Sequence, residues 1–220
     1  MMNKQSFFGA FLLLVTISVS ACMASAPRSP VTQSGSVQSH DASVSISPSS
    51  SQIISNDQQK IEQNADAILR ALKAKDMHTV AQFSSLKGVT FSPYAYVKSD
   101  DITFTRSQLA QFFTDTKKYE WGWYDGSGLP IELTPTAYFS EFIYDHDFVS
   151  QNDRRFDDTH SHGNTLSTIA ESYPDAHVVS FHYTPAATEN ENDWAYLWLV
   201  FEKEDQTWML RAIVHDEWTI

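Results

Sequence analysis

Cysteine is almost absent from this chain. Cys22 is the one thiol in 220 residues, which excludes an intramolecular disulfide, a cysteine-rich zinc site and a cysteine nucleophile in the rest of the sequence. Positive charge is scarce as well: 15 Lys and Arg stand against 27 Asp and Glu, a formal net charge of -12. Such a chain repels nucleic acid and anionic lipid headgroups. No apolar run reaches the about 20 residues that a membrane-spanning helix needs. Also missing are a Gly-x-Ser-x-Gly elbow, a Walker loop, a dinucleotide fingerprint and a helical His-Glu-x-x-His. These absences argue against most enzyme classes and imply no cofactor. They leave room for hydrolases that use two carboxylates, whose residues leave no local signature.

What is present begins with an address. Lys4 gives a short positive region, and Phe7 to Val19 form an apolar stretch broken by Gly9, Thr16 and Ser18. That length suits a removable export signal, whose apolar core needs only about 7 to 15 residues. Val19-Ser20-Ala21-Cys22 follows and resembles the bacterial lipobox, in which an aliphatic residue and two small ones precede a cysteine that is acylated and becomes residue one. The resemblance implies that residues 1–21 are a lipoprotein signal peptide and that Cys22 carries the lipid. Each buried methylene contributes about 0.8 kcal/mol, so several acyl chains hold a protein on a membrane essentially permanently. Removing residues 1–21 takes away Lys4 and leaves a mature net charge of -13. The expected location is the cell envelope, with the membrane as a partner through the anchor. Met23 in place of Asp implies the outer membrane if the source is diderm.

From Met23 to about Asp57 the chain is rich in Ser, Gln and Pro, lacks aromatic residues and has no apolar period. It cannot bury enough surface to fold. Residues 22–57 are therefore expected to be the lipidated cysteine and a flexible tether with a reach of roughly 30 Å. Residues 58–220 hold all six tryptophans and are the size of one domain.

Within that domain, Asn56 or Asp57 can cap a helix whose stripe is Ile61, Ala65, Ile68, Leu69 and Leu72. A second helix is expected from Asp76. Val89, Phe91, Tyr94 and Tyr96 switch to a period of two, with Pro93 marking an edge or a bulge. Thr105 to Gln108 reads as a capping box. Tyr119 to Tyr124 alternates like a strand, placing Trp121 and Trp123 on one face and Tyr124 on the other. Thr134-Pro135 starts a helix with Tyr138, Phe139, Phe142 and Ile143 as its apolar side. Ser150 to Asn164 is polar and is expected to be a long loop or an irregular excursion. Three strands close the pattern at His177–Thr184, Trp194–Lys203 and Thr207–Val214, the last two joined at Glu204-Asp205-Gln206. Helices first and antiparallel strands last is an α+β order. It predicts N-terminal helices packed on a curved antiparallel sheet, as in the cone named after nuclear transport factor 2.

Three segments carry a second resemblance: Lys87 to Lys98, Tyr119 to Thr134, and the stretch from Leu199 to Ile220. Together they resemble a family of bacterial lipoproteins and secreted proteins built from a signal, a low-complexity linker and one such domain. That resemblance supports export and brings no activity and no catalytic residue.

Several polar and aromatic groupings are candidates for chemistry. Asp157, His160 and His162 can offer a nitrogen and oxygen metal shell from an extended loop, although an Asp- and His-rich surface loop produces the same letters without binding. Asp145-His146-Asp147 reads as a histidine with an orienting carboxylate, or as a helix C-terminus, the reading favoured on composition. His215 and Asp216 are the candidate acid–base pair. Tyr183, Trp198, Trp208 and Trp218 are the candidate ligand-lining rings on a concave sheet face, with dense core packing as the alternative. Trp121 and Trp123 suggest a sugar-stacking surface if they face water. The leading expectation is a tethered, non-enzymatic domain binding a small ligand or an envelope protein. The alternative is an envelope hydrolase or isomerase using His215 with Asp216, or the loop metal, and a third is a purely structural spacer.

Overall fold

A computed structural model describes residues 50–163 and 165–219. Cys22 and the segments expected to be signal and tether lie, up to residue 49, outside the described residues.

Helix α1 (Ser50–Lys73) buries its expected stripe completely: Ile61, Ala65, Ile68, Leu69 and Leu72 are all in the core. It begins well before the expected cap at Asn56 or Asp57, inside the segment read as tether. No Gly or Pro stands between 50 and 57 to stop it, and extending a formed helix is far easier than nucleating one. Helix α2 (Met77–Gln82) starts where Asp76 accepts from the Thr79 N–H at 3.0 Å. Strands β1 (Val89–Ser92) and β2 (Ile102–Phe104) pair antiparallel, and α3 (Arg106–Ala110) opens on the predicted capping box of Thr105 and Gln108. Strands β3 (Tyr119–Trp123) and β4 (Pro130–Leu133) make a separate two-stranded sheet. Helix α4 (Pro135–Phe142) begins as expected, with Thr134 as cap and proline in its first turn.

The polar stretch after α4 is more ordered than its composition suggests. A short α5 (Phe148–Gln151) leads into β5 (Asp153–Phe156), an edge strand inside the segment expected to be a loop. Charge hid it. Arg154 reaches Asp66 at 2.6 Å and Glu62 at 3.3 Å on α1, and Arg155 pairs with Asp153 and Asp158. Charged side chains on an edge strand discourage pairing with other chains. The short α6 (Ile169–Ser172) precedes the meander β6 (His177–Tyr183), β7 (Ala195–Glu204) and β8 (Thr207–Glu217).

The main sheet has the order β2-β1-β8-β7-β6-β5 and is antiparallel throughout except where β1 runs parallel to β8. Helices, a β1–β2 pair, and strands β5 to β8, of which the last returns beside β1, give the α+β fold of helices on a curved, mostly antiparallel sheet that the sequence predicts. A bulge at Arg211, where Val200 and Phe201 face Ala212 and Leu210, bends the long β7–β8 pair.

Both faces of this sheet are covered. The inner face holds an aromatic core in which Phe91 meets Phe104, Phe112, Trp121 and Tyr138, and Trp121 stacks on Tyr138 at 3.8 Å. The outer face buries Tyr196, Trp198, Val200, Ala212 and Val214 under Ala95, Ile169 and Tyr173. Each large apolar side chain removed from water contributes about 1.5–3 kcal/mol.

Candidate functional site

The filled inner face overturns the expectation of a concave ligand pocket, and the four rings chosen for it do not converge. Tyr183 lies over the inner side, with its ring 4.2 Å from that of His146. Trp198 is buried on the outer face, where its indole N–H donates to the Asp158 carbonyl at 2.9 Å. Trp208 packs beside His177 near the β7–β8 turn, with the Lys203 ammonium 5.3 Å from its ring. Trp218 follows β8 and is exposed. Side-chain alternation along the strands separates them.

The same alternation divides His215 from Asp216. The sequence pattern predicts a last strand ending at Val214, but β8 continues through Glu217, so adjacent residues face opposite sides. His215 is fully buried on the inner side, edge-on to Phe142. Asp216 is fully buried on the outer side, where the Ser161 hydroxyl donates to it. They form no acid–base pair.

The loop metal site is not assembled either. His160 is 93% exposed in its side chain and bonds its near neighbour Asp158. Asp157 turns to His177 instead, at 2.9 Å, from a left-handed backbone with φ of 54°. His162 packs on Trp194. The three groups point apart because each has found a different partner.

His215 meets a residue 70 positions away. Its Nδ1–H donates to the Pro93 carbonyl at 3.3 Å, which aims Nε2 at Asp145 Oδ2, 3.2 Å distant. That approach is within ion-pair range but not aligned as a hydrogen bond, and both Nε2 and Asp145 Oδ1 are buried without a hydrogen-bond partner. Asp145 sits just past α4 and also takes a short hydrogen bond from His146 Nδ1, while His146 Nε2 lies 3.3 Å from Asp193. Asp147, by contrast, pairs with Lys73 and Tyr144. Glu217, on the same strand face as His215, completes a group whose ligating atoms lie within 4.8 Å of one another.

The electrostatics follow from burial and proximity. Desolvation pushes the Asp145 carboxyl up, but the His215 and His146 rings outweigh it and hold the group well below the ordinary carboxylate range. Burial lowers His215, and the Asp145 charge more than restores it, leaving the imidazole raised. His146 is raised in the same way, its bond to Asp145 overcoming desolvation. Glu217 is raised by burial.

A second feature is open to solvent. A groove of about 500 Å³ runs between the segment after β1 and the β3–β4 hairpin, lined by Tyr94, Tyr96, Trp123, Tyr124 and Leu166, with Lys98, Asp101 and Asp125 as its charged groups. The two tryptophans of β3 do not share a face here. Between Glu120 and Trp123 two residues oppose one on β4, and this bulge, with Gly122 at φ of 137°, reverses the alternation. Trp121 is 1% exposed in the core, and Trp123 is 51% exposed on the groove. Tyr96 and Leu166 are 53% and 81% exposed. Burial raises the Tyr94 and Tyr124 phenols to about 12, so both are neutral hydroxyl donors across the ordinary pH range.

Sequence reasoning missed Glu217 as a companion of His215 and missed Tyr94, Tyr96, Lys98, Asp101 and Leu166 as groove residues. Extending the last strand by three residues would have revealed Glu217, since His215 and Glu217 are then two apart on one face. No local signal links residue 96 to residue 166.

No protein-family model matches the chain, and no curated protein is significantly similar to it. Among solved structures, a putative calcium/calmodulin dependent protein kinase II association domain from Xanthomonas campestris is similar to it at 14% identity, over 80% of this chain and 93% of that one, with a TM-score of 0.29.

Proposed function

We propose that this protein is an envelope lipoprotein, anchored through Cys22, whose folded domain binds a small saccharide in the groove beside the β3–β4 hairpin. The carrying observation is the groove itself: the Trp123 and Tyr96 rings stand half-exposed over a concavity of about 500 Å³. That size falls in the range of small-molecule sites, about 300–1,000 Å³. Exposed aromatic faces stack on the apolar faces of sugar rings, and the neighbouring polar groups suit their hydroxyls. Lys98 and Asp101 offer a donor and an acceptor, and Tyr94 and Tyr124 stay protonated. The lipobox at Val19 to Cys22 and the tether after it support delivery of this groove to a membrane-proximal space outside the cytoplasm.

Two measurements test the two halves. Indole fluorescence of the full chain is titrated with glucose and N-acetylglucosamine oligomers. Saturable quenching is expected, with affinity falling at least about tenfold in Trp123→Ala, a loss of about 1.4 kcal/mol or more. No saturable response, or an unchanged affinity in that variant, defeats the groove reading. Replacing Cys22 by Ser is expected to move the protein from the membrane to the soluble fraction, and a protein that stays soluble with Cys22 intact defeats the anchor.

A further inference from the structure

We propose that Asp145, His215 and Glu217 are the ligands of a divalent transition-metal site, chemically suited to zinc, at the inner edge of β8. This inference is independent of the saccharide groove. A buried carboxylate cluster alone would be an ordinary polar core feature. What distinguishes this one is the orientation of His215. The ring is fully buried, and its Nε2 makes no hydrogen bond of ordinary geometry although it stands 3.2 Å from Asp145 Oδ2 with a Glu217 oxygen within 4.8 Å. Its other nitrogen is tied to the Pro93 carbonyl. That is the outer-shell bond that metal-ligating histidines use to fix ring and tautomer.

The spacing also fits an ion. In a tetrahedral site with bonds of about 2.0–2.1 Å, neighbouring donor atoms stand about 3.3–3.4 Å apart. His215 Nε2 and Asp145 Oδ2 are 3.2 Å apart, close to that edge and without the alignment of a hydrogen bond. Asp145 brings a second oxygen, Oδ1, that is buried and unpartnered, while His146 bonds Oδ2 and orients the carboxylate from behind. Glu217 lies within 4.8 Å and its longer side chain can close the remaining gap by rotation. One imidazole and two carboxylates suit zinc-like ions more than calcium, which takes six to eight oxygens. Three protein ligands leave the fourth position of a tetrahedron for water or a ligand.

The test uses the full chain, stripped with a chelator and dialysed. Titration with Co²⁺, read by its visible absorption, and with Zn²⁺, read by calorimetry, is expected to show one ion per chain. Glu217→Gln and Asp145→Asn are each expected to weaken binding at least about tenfold while the far-ultraviolet dichroism is unchanged. Glu217 lies at the end of β8 and is only partly buried, so its variant reports on binding even if Asp145→Asn fails to fold. Absence of stoichiometric binding overturns the proposal. So does equal affinity in Glu217→Gln, or loss of binding on replacing His160 and His162, which would place the ion on the exposed loop.

Discussion

His215 and Asp216 are consecutive on β8, and their side chains occupy opposite faces of the sheet. His215 looks inward to Asp145, and Asp216 looks outward to Ser161. In chelator-treated protein, urea unfolding of the single and double variants is expected to show strong coupling between positions 145 and 215, above about 1 kcal/mol, and weaker coupling between 215 and 216, whose charges act on each other without contact. Asp145→Asn alone is expected to cost about 3 kcal/mol, because it leaves a buried imidazole without its counter-charge. The pH window follows from the two directions. The lowered Asp145 contributes stability above the ordinary carboxylate value of 3.8 and loses it as pH falls through its folded pKa. The raised His215 contributes below the ordinary 6.5 and loses it as pH rises through its folded pKa. The pair therefore contributes most between those two values.

Trp121 and Trp123, separated by one glycine, are expected to differ sharply in cost. Trp121→Ala removes a ring stacked on Tyr138 and an indole N–H donated to the Leu133 carbonyl at 2.9 Å, a loss of about 3–5 kcal/mol. Trp123→Ala is expected to stay within about 0.5 kcal/mol of the parent. Denaturant midpoints at equal m-value decide between these figures and a shared-face arrangement, in which the two would cost the same.

His182 supplies an acid-sensitive element on the outer face. Burial, with the nearby Arg155 charge, lowers its imidazole to about 4, and its ring lies flat on Tyr196 at 3.9 Å. The unfolded chain binds this proton near 6.5 and the folded one only near 4, so stability is full above 6.5 and falls as pH drops between those values. The loss amounts to at most about 3 kcal/mol. His182→Gln is expected to flatten the stability profile in this window relative to the parent. A parallel profile would show that the ring takes up its proton without penalty.

Gly88 is expected to be irreplaceable by alanine without loss. It has φ of 89°, and an added Cβ would stand 2.7 Å from the Phe104 carbonyl oxygen across the β1–β2 pair. Strain of this kind costs of order 1–3 kcal/mol, and thermal unfolding of Gly88→Ala should register it as a lowered midpoint.

The parts of this fold that were legible in the sequence are those set by local chemistry. Thr105 with Gln108, and Thr134 with Pro135, announce helix starts because caps satisfy backbone donors within three residues. The α1 stripe follows from periodicity, and β6 to β8 from their dense runs of β-branched and aromatic residues. The illegible parts arise where a long-range contact or one inserted residue decides. The charges of β5 look like loop until α1 supplies Glu62 and Asp66 to Arg154. The bulge at Gly122 separates two tryptophans that simple alternation keeps together. Asp145 and His146 were visible as a polar run, but nothing local shows that Asp145 faces His215 or that Glu217 joins them. The groove is harder still, since its walls come from three separate segments.

The parallel pairing of β1 with β8 bears on when this domain can form at all. Strand β8 lies between β1 and β7, so the β1–β2 pair and the β5–β7 block have no ladder joining them until residues 207–217 emerge. The joining of the two blocks into one sheet therefore waits for β8 to be synthesised, and contacts of such long sequence separation form slowly. A chain with this wiring leaves two unjoined strand blocks, each with an open edge, until its last strand arrives to lie between them.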